Sequence, residues 1–218
     1  IRACRLLIAG CGIGSAIAEA AARLGFEKIT LVDGDIVEPH NLNRQNYVAA
    51  DVGRKKVCAL ADRLRAINPA GDFQAIDAWV SRENAGGFVN GADIVIETID
   101  LLDLKAIVAL HDAGTAQRKP VITAVSAGWG AVAVYFPPGT KCTFRDLFGI
   151  ARDADVMSMS YTERFAKFLD RIGKVLDDPT RAAPHIQDRA RPADWGRLQV
   201  SENDPVAVPL PVALERDR

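Results

Sequence analysis

The sequence has no block of like charge, few cysteines and no long apolar run. Its 27 Lys and Arg residues nearly balance 28 Asp and Glu residues, for a formal net charge of −1. Proteins that bind nucleic acid or membrane surfaces usually carry a basic patch, so we expect neither as a partner. The longest apolar runs have only the length of a strand, and the chain opens in one without a charged leader, which favours a cytoplasmic protein.

The four cysteines, Cys4, Cys11, Cys58 and Cys142, form no Cys-x-x-Cys pair. This spacing offers neither the paired ligands of a zinc ribbon nor a small disulfide framework. We therefore expect no structural zinc and mostly buried, reduced thiols. Cys142, in the segment PPGTKCTF, stays open as a thioester or persulfide nucleophile, although nothing around it indicates an activated thiolate.

At 218 residues, with 49% hydrophobic and 25% charged residues, the chain has the composition of one main folded domain. Short β-rich runs alternate with helical patterns, which is typical of βαβ units in a parallel sheet. The predicted strands are Arg5–Gly10, Lys28–Asp33, Phe73–Val80, Asp93–Thr98, Pro120–Ser126 and Trp129–Phe136. We expect an α/β fold, a Rossmann-like, doubly wound, mostly parallel sheet with helices on both faces and a ligand crevice at the carboxyl ends of the strands.

Three helices are predicted between these strands. Apolar residues recur at helical spacing up to Leu24, and Gly25 ends this first helix. The second runs to Ile67 and stops before Pro69, because proline cannot continue a helix. The third covers about residues 101–117.

The character of the sequence changes after residue 136, where two prolines and a glycine interrupt the strand pattern. We predict one domain over residues 1–136 and a C-terminal extension over residues 137–218. The extension contains one amphipathic helix near residues 160–176, followed by an irregular, proline-punctuated tail.

A glycine-rich turn, GCGIGS, joins the first strand to the first helix. Gly10, Gly12 and Gly14 permit a tight turn in which backbone amides can approach a phosphate. Asp33 ends the second strand, where dinucleotide-binding domains place the acid that accepts hydrogen bonds from ribose hydroxyls. Together they indicate a nucleotide, but the turn alone leaves NAD, FAD, ATP and S-adenosylmethionine open.

The segment LVDGDIVEPHNLNRQ, residues 31–45, is more specific. Its strand ends in two acids, and the loop then offers amides and an arginine: Asp33, Asp35, Asn41, Arg44 and Gln45. A hydride-transfer site needs only the ribose acid, whereas an arginine is a permanently charged fork that suits phosphate oxygens. The two amides can orient this arginine, or a substrate carboxylate, without adding charge.

Two lysines and a further acid complete the candidate site. Lys55 and Lys56 follow Gly53 and lead into the second helix, whose N-terminal amides already favour an anion. Asp100 lies just past the fourth strand, at the sheet edge where ligands gather, and its carboxylate can hold Mg²⁺ bridged to phosphates. Asp103 is a nearby competitor for this role.

These motifs resemble those of the ThiF/MoeB/HesA family in the ubiquitin-activating-enzyme-like adenylyltransferase superfamily. The resemblance covers roughly residues 5–136 and rests on VDGD-x(5)-NLNRQ, Gly53-x-x-Lys56, Asn68-Pro69 and Asp100 after an apolar strand. It implies that residues 1–136 are a ThiF-type nucleotide-binding domain. It also implies a homodimeric enzyme that uses ATP and Mg²⁺ to adenylate the C-terminal carboxylate of a ubiquitin-like or sulfur-carrier protein.

The resemblance also implies a role for each site residue. Lys56 is preferred over Lys55 because the family's lysine stands three residues after a glycine and directly before a small apolar residue. The implied catalytic residues are Arg44, Lys56, Asp100 and Asn41, with Asp100 as the Mg²⁺ ligand. The implied nucleotide-binding residues are Gly10, Gly12, Gly14, Asp33, Asp35 and Gln45, with Asp33 on the ribose.

Two departures from the family pattern keep alternatives open. The glycine turn is one residue shorter than G-x-G-G-x-G-S, and Leu101 and Lys105 stand where relatives often have Asn and Arg. One alternative keeps the ATP site but activates a small-molecule, peptide or tRNA-nucleoside carboxylate. Another is a non-catalytic nucleotide-binding scaffold of the same fold. A third is an NAD-dependent oxidoreductase, which has no need for Arg44 and Lys56.

Overall fold

The computed structural model describes residues 1–127 and 130–156 and, further along, the strand at 206–210. Its framework is a mixed, mostly parallel sheet. The strands are β1 (Arg5–Ala9), β2 (Lys28–Val32), β3 (Asp72–Ile76), β4 (Ile94–Glu97), β5 (Val121–Ala127), β6 (Gly130–Phe136) and β7 (Val206–Leu210). The α-helices are α1 (Gly14–Leu24), α2 (Lys56–Ile67), α3 (Ala85–Asn90), α4 (Leu104–Ala116) and α5 (Phe144–Phe148).

The strand order is β3-β2-β1-β4-β5-β6-β7. The first five strands in this order run parallel, and β6 and β7 pair antiparallel to their neighbours. Ala9 at the end of β1 is level with Val32 of β2 and with Glu97 of β4. The direction of winding reverses between β1 and β4, which is where such sheets form a ligand crevice.

Two apolar cores lie on opposite faces of the sheet because side chains alternate along each strand. Leu6 and Ile8 of β1 pack in one core with residues of α1 and α2, whereas Leu7 and Ala9 pack in the other with residues of α3, α4 and α5. All four are at most 4% exposed, as expected for the central strand of a parallel sheet. The predicted Rossmann-like, doubly wound fold with helices on both faces is confirmed.

Local signals set the ends of the main helices. α1 ends at Gly25, which has a left-handed φ of 95° and donates its N–H back to the last turn. α2 ends at Asn68, directly before Pro69. α4 begins three residues later than the sequence predicts because Asp103 caps it by accepting the N–H of Ala106. The residues just before α4 are therefore free to form part of a loop.

β3 is shorter than the predicted strand Phe73–Val80. It ends at Ile76, which pairs with Val32, the last residue of β2. Without a neighbouring strand to pair with, residues 77–80 leave the sheet as a loop. The short helix α3 follows this loop and is not predicted by any periodic apolar pattern.

Residues beyond 136 contribute to the same core. Thr143 caps α5, and Phe144 and Phe148 of this helix pack in the core that contains α4. The tail that the sequence predicts to be irregular contains β7, in which Pro209 is tolerated because an edge strand has unpaired N–H positions. The division at residue 136 stays a prediction, and the predicted helix near residues 160–176 lies outside the described residues. In the part of the chain that the structure describes, every helix is too short or too polar to cross a lipid bilayer.

Candidate functional site

A cavity of about 400 Å³ opens at the carboxyl edge of the sheet. Its walls come from the glycine turn after β1, the segment after β2, the loop after β3 and the segment between β4 and α4. Eight of the predicted site residues line it: Gly10, Gly12, Asp33, Asp35, Arg44, Gln45, Lys56 and Asp100. The fold thus brings together residues that are up to 90 positions apart in the chain.

The glycine turn depends on Gly10 and Gly14 for different reasons. Gly10 has a φ of 92°, and a Cβ there would lie 2.3 Å from the carbonyl oxygen of Thr98. Gly14 does not line the cavity. A Cβ on it would lie 2.5 Å from the Thr98 hydroxyl, so this glycine lets the start of α1 pack closely against the residue that follows β4. The Thr98 hydroxyl in turn donates to the Gly10 carbonyl at 2.7 Å.

Asp33 ties the turn to the end of β2. One carboxylate oxygen accepts the N–H of Cys11 at 2.6 Å, and the other accepts the N–H of Asp35 at 2.8 Å. Each carboxylate oxygen can accept a second hydrogen bond, so the group can still receive a ribose hydroxyl. Asp33 therefore shapes the site and lines it at the same time.

The loop that carries Arg44 and Gln45 is hydrogen-bonded to the glycine turn through the two residues that follow Gln45. The Tyr47 hydroxyl donates to the Cys11 carbonyl at 2.7 Å, and the Asn46 N–H donates to the Ser15 hydroxyl at 3.0 Å. Burial raises the pKa of the Tyr47 phenol, so it remains a hydrogen-bond donor at neutral pH.

Asn41 stabilises this loop through hydrogen bonds within it and does not line the cavity. It is 2% exposed, and its side-chain oxygen accepts the N–H of Glu38 at 2.9 Å. Its backbone carbonyl accepts the N–H groups of Arg44 and Gln45. The catalytic role implied for Asn41 stays a prediction, because its observed contacts are those of a residue that positions its neighbours.

Arg44 reaches the cavity wall with part of its guanidinium uncommitted. Nη1 donates to the His40 carbonyl at 2.7 Å and to the Asn43 side chain at 3.0 Å. Within the described residues these are its hydrogen bonds, so Nη2 and Nε remain for a ligand.

Lys56 is a buried cation paired with Asp35. An antiparallel bridge between Ile36 and Lys55 holds the segment after β2 against the start of α2. The Lys56 ammonium lies 2.6 Å from Asp35 Oδ2, with the two side chains 7% and 39% exposed. Burial acts to raise the pKa of Asp35, but the hydrogen bonds from Lys56 and the Ile36 N–H and the charges of both lysines lower it overall. The ammonium has three donors and uses one on Asp35.

Lys55 has a different position from Lys56. Its ammonium donates to the Gly34 carbonyl at 2.9 Å and lies 3.0 Å from Asp77. It is absent from the cavity lining and instead ties the segment after β2 to the loop after β3.

Two carboxylates lie on the wall next to α4. Asp100 accepts the N–H of Leu102 at 3.0 Å, and Asp103, the cap of α4, also lines the cavity. No group of three or more His, Cys, Asp or Glu side chains placed to bind a metal occurs among the described residues. Mg²⁺ usually takes one or two carboxylates and completes its shell with water and phosphate oxygens, so this donor set fits it.

The loop after β3 is the part of the site that the sequence pattern does not reveal. Ala78, Trp79 and Val80 line the cavity, and Trp79 is 64% exposed. These residues continue the apolar run of β3 and are therefore predicted as strand. The signal that could have indicated this loop is the tryptophan itself. It lies shortly after β3, where the chain crosses to the other face of the sheet.

Known proteins resemble this chain over most of its length. The sequence profile of the ThiF family matches residues 1–174. The tRNA threonylcarbamoyladenosine dehydratase of Escherichia coli strain K12 is 38% identical over 119 residues, which cover 54% of this chain and 44% of that protein. The sulfur carrier protein ThiS adenylyltransferase of Bacillus subtilis strain 168 is 31% identical over 147 residues, or 65% of this chain and 43% of that protein. The chain spans less than half the length of these curated relatives.

Solved structures share the fold. The crystal structure of E. coli tRNA N6-threonylcarbamoyladenosine dehydratase, TcdA, in complex with AMP has a TM-score of 0.56 and 25% identity, covering 79% of this chain and 86% of that one. The crystal structure of E. coli MccB has a TM-score of 0.59 at 23% identity, covering 78% of this chain and 48% of that one. At this level of identity the likeness supports a shared fold only.

Proposed function

The chain belongs to the ThiF family, and we propose that it is an ATP-dependent adenylyltransferase that activates the C-terminal carboxylate of a ubiquitin-like or sulfur-carrier protein. The observation that carries the proposal is that Arg44 and Lys56 line one cavity with the acids Asp33 and Asp100. Two cations beside a glycine turn suit the phosphates of ATP, whereas hydride transfer does not need them. An ATP site is also supported by the adenylyltransferases among its relatives and by the AMP complex of a structural neighbour.

In the proposed reaction, a carboxylate oxygen of the partner attacks the α-phosphorus of ATP. The bond from the α-phosphorus to the oxygen that bridges it to the β-phosphate breaks, pyrophosphate leaves, and an acyl adenylate forms. Both reactants are anionic, so Arg44 and Lys56 accelerate the step by stabilising negative charge in the transition state. Asp100, with Asp103 beside it, would hold Mg²⁺, which neutralises phosphate charge when bound.

The remaining site residues bind and orient. Asp33 receives the ribose hydroxyls, and the amides near Gly10 and Gly12 approach the phosphates. The side-chain oxygen of Gln45 is buried and has no hydrogen-bond partner among the described residues. A buried acceptor without a partner is costly, so a donor on the ligand or an ordered water would satisfy it. Homodimerisation, and residues 1–136 as the nucleotide-binding domain, are part of the same proposal.

A second candidate function has specific support from the relatives. The tRNA threonylcarbamoyladenosine dehydratase of Haemophilus influenzae is 37% identical over 97 residues, or 44% of this chain and 37% of that protein. In this case the same ATP site would activate a carboxylate on a tRNA nucleoside. The net charge of −1 and the lack of a basic block favour a protein partner, because tRNA binding depends on neutralising phosphates.

ATP–pyrophosphate exchange tests the proposal. We expect exchange that requires Mg²⁺ and a sulfur-carrier protein with a free C-terminal glycine, and none with a carrier whose C-terminal carboxylate is blocked. ATP consumption that requires tRNA instead of a carrier would transfer the assignment to the second candidate. Failure to bind ATP would overturn both.

A pair of arginine variants provides a matched control for this assay. Arg44→Ala removes the guanidinium on the cavity wall and is expected to abolish exchange while leaving the protein folded. Arg54→Ala also removes an exposed arginine, but one that pairs with Asp51 and Asp62 and does not line the cavity. Wild-type exchange in Arg44→Ala, or an equal loss in both variants, would refute the role of Arg44.

A further inference from the structure

Trp79 is a large aromatic side chain that the fold leaves exposed on the cavity wall. It is 64% exposed, although a tryptophan usually buries much of its large apolar surface. It lies in the loop after β3, between Ala78 and Val80, which also line the cavity. The phosphate and metal chemistry proposed above does not involve this residue.

The position of the indole depends on a glycine. A Cβ on Gly34 would lie 2.6 Å from both Nε1 and Cε2 of the Trp79 ring, so the ring lies directly against the backbone of residue 34. Gly34 separates Asp33 and Asp35, which both line the cavity. The indole is therefore a neighbour of the acid that is expected to bind the ribose.

Two side chains outside the cavity hold this arrangement in place. The Lys55 ammonium binds the Gly34 carbonyl and Asp77, which links the segment under the ring to the loop that carries it. The side-chain amide of Asn84 donates to the Trp79 carbonyl at 2.8 Å. The loop is therefore ordered before a ligand binds, which reduces the entropy lost on binding.

We propose that the indole of Trp79 is the surface on which the base of the bound nucleotide stacks. A base attached to a ribose held by Asp33 would extend along this part of the wall, while the phosphates would extend toward the glycine turn and Lys56. Val32 and Val80 also line the cavity and contribute apolar atoms to its wall. Because every base has an aromatic face, this stacking contributes affinity and leaves the choice among bases to other contacts.

Binding of two probes separates this role from the proposed phosphate site. ATP contains the base, whereas inorganic tripolyphosphate contains only the phosphates, and the inference rests on the proposed ATP site. Replacing a stacking aromatic residue by alanine should weaken ATP binding about five- to 150-fold and leave tripolyphosphate binding unchanged. Trp79→Phe should retain most of the ATP affinity. Leu24→Ala, at a residue that is 70% exposed at the far end of α1, is the control and should bind both probes normally.

Tryptophan fluorescence provides a readout independent of activity. ATP should quench the wild-type emission, and the quenching should disappear in Trp79→Phe although Trp129 and Trp195 remain. Gly34→Ala provides a second route, because its Cβ displaces the ring. It should weaken ATP binding as Trp79→Ala does.

Three results would overturn the inference. Equal ATP affinity in wild type and Trp79→Ala would show that the base does not use the indole. An equal loss of tripolyphosphate binding would show that the variant disrupts the whole site. If the wild type binds tripolyphosphate but not ATP, or binds neither, the proposed function fails together with this inference. If ATP binds but its affinity does not depend on Trp79, only the inference fails.

Discussion

Replacing Lys56 with methionine separates the chemical role of this cation from its structural role. Methionine keeps much of the buried aliphatic stem but removes the ammonium that lies 2.6 Å from Asp35. Breaking a fully buried ion pair typically costs about 3–5 kcal/mol, because the charge left behind is unpaired. Asp35 is 39% exposed and can be hydrated in the variant, so we expect a loss of only about 1–2 kcal/mol in the free energy of unfolding.

The expected loss of activity is much larger. Removing one well-placed donor from a site that stabilises a charged transition state costs about a hundred- to a thousand-fold in rate. A domain with a typical stability of about 5–15 kcal/mol stays folded after losing 1–2 kcal/mol, so unfolding cannot account for such a decrease. Urea unfolding followed by circular dichroism measures the first quantity, and ATP–pyrophosphate exchange at saturating ATP measures the second.

Asp35→Asn is the matched comparison, because it removes the same ion pair but keeps the ammonium. We expect it to lose more stability than Lys56→Met, because the ammonium left without its charged partner is only 7% exposed, and to retain much more exchange activity. If the two variants lose exchange equally, the ion pair rather than the cation is what matters. If exchange in Lys56→Met falls only in proportion to the folded fraction, the assigned role of Lys56 is wrong.

Four further outcomes follow from the geometry. Gly10→Ala should cost several kcal/mol in thermal unfolding experiments, because its Cβ would lie 2.3 Å from a backbone oxygen of Thr98. Gly12→Ala should fold normally, because its Cβ would meet only the Gln45 side chain, at 3.2 Å, but it should bind ATP more weakly by calorimetry. Equal stability of the Gly10 and Gly12 variants would contradict this. Tyr47→Phe should lower the free energy of urea unfolding by about 1–2 kcal/mol by removing the 2.7 Å hydrogen bond to a buried carbonyl, and an unchanged midpoint and slope would refute it. The folded-state pKa of Asp35 is lowered from 3.8, so its ion pair stabilises the protein above pH 3.8, and this contribution disappears as the pH falls through the folded-state pKa. The free energy of unfolding of Asp35→Asn should lack this part of the acid dependence. An identical acid profile in the wild type and the variant would contradict this.

Much of the fold could be predicted because its signals are local. The apolar runs of the parallel strands, the C-cap at Gly25 and the stop before Pro69 each depend on a few neighbouring residues. The convergence of Asp33 and Asp100 follows from topology alone, since the carboxyl ends of parallel strands meet at one edge of the sheet. These features need no knowledge of side-chain packing.

The remaining features depend on contacts between distant segments. β3 stops at Ile76 because β2 offers no further partner, and this converts an apolar run into the loop that presents Trp79. A motif also indicates a residue type but not the direction of its side chain. Asn41 belongs to the family-like segment, yet it caps its own loop instead of lining the cavity.

A buried polar cluster shows the same limit. Glu97 at the end of β4 accepts a hydrogen bond from Thr123 of β5, and His111 of α4 lies 3.7 Å from the same carboxylate while its ring stacks on Phe144. Each of these residues looks ordinary in the sequence. Only the packing of α4 against the sheet brings them together.

A crystal structure with a non-hydrolysable ATP analogue and Mg²⁺ tests the central claim most directly. We expect phosphate oxygens within hydrogen-bonding distance of the Arg44 guanidinium and the Lys56 ammonium, with the Asp100 carboxylate on the metal side of the phosphates. A nucleotide bound in this cavity with its phosphates directed away from both cations, or bound elsewhere on the protein, would contradict the account.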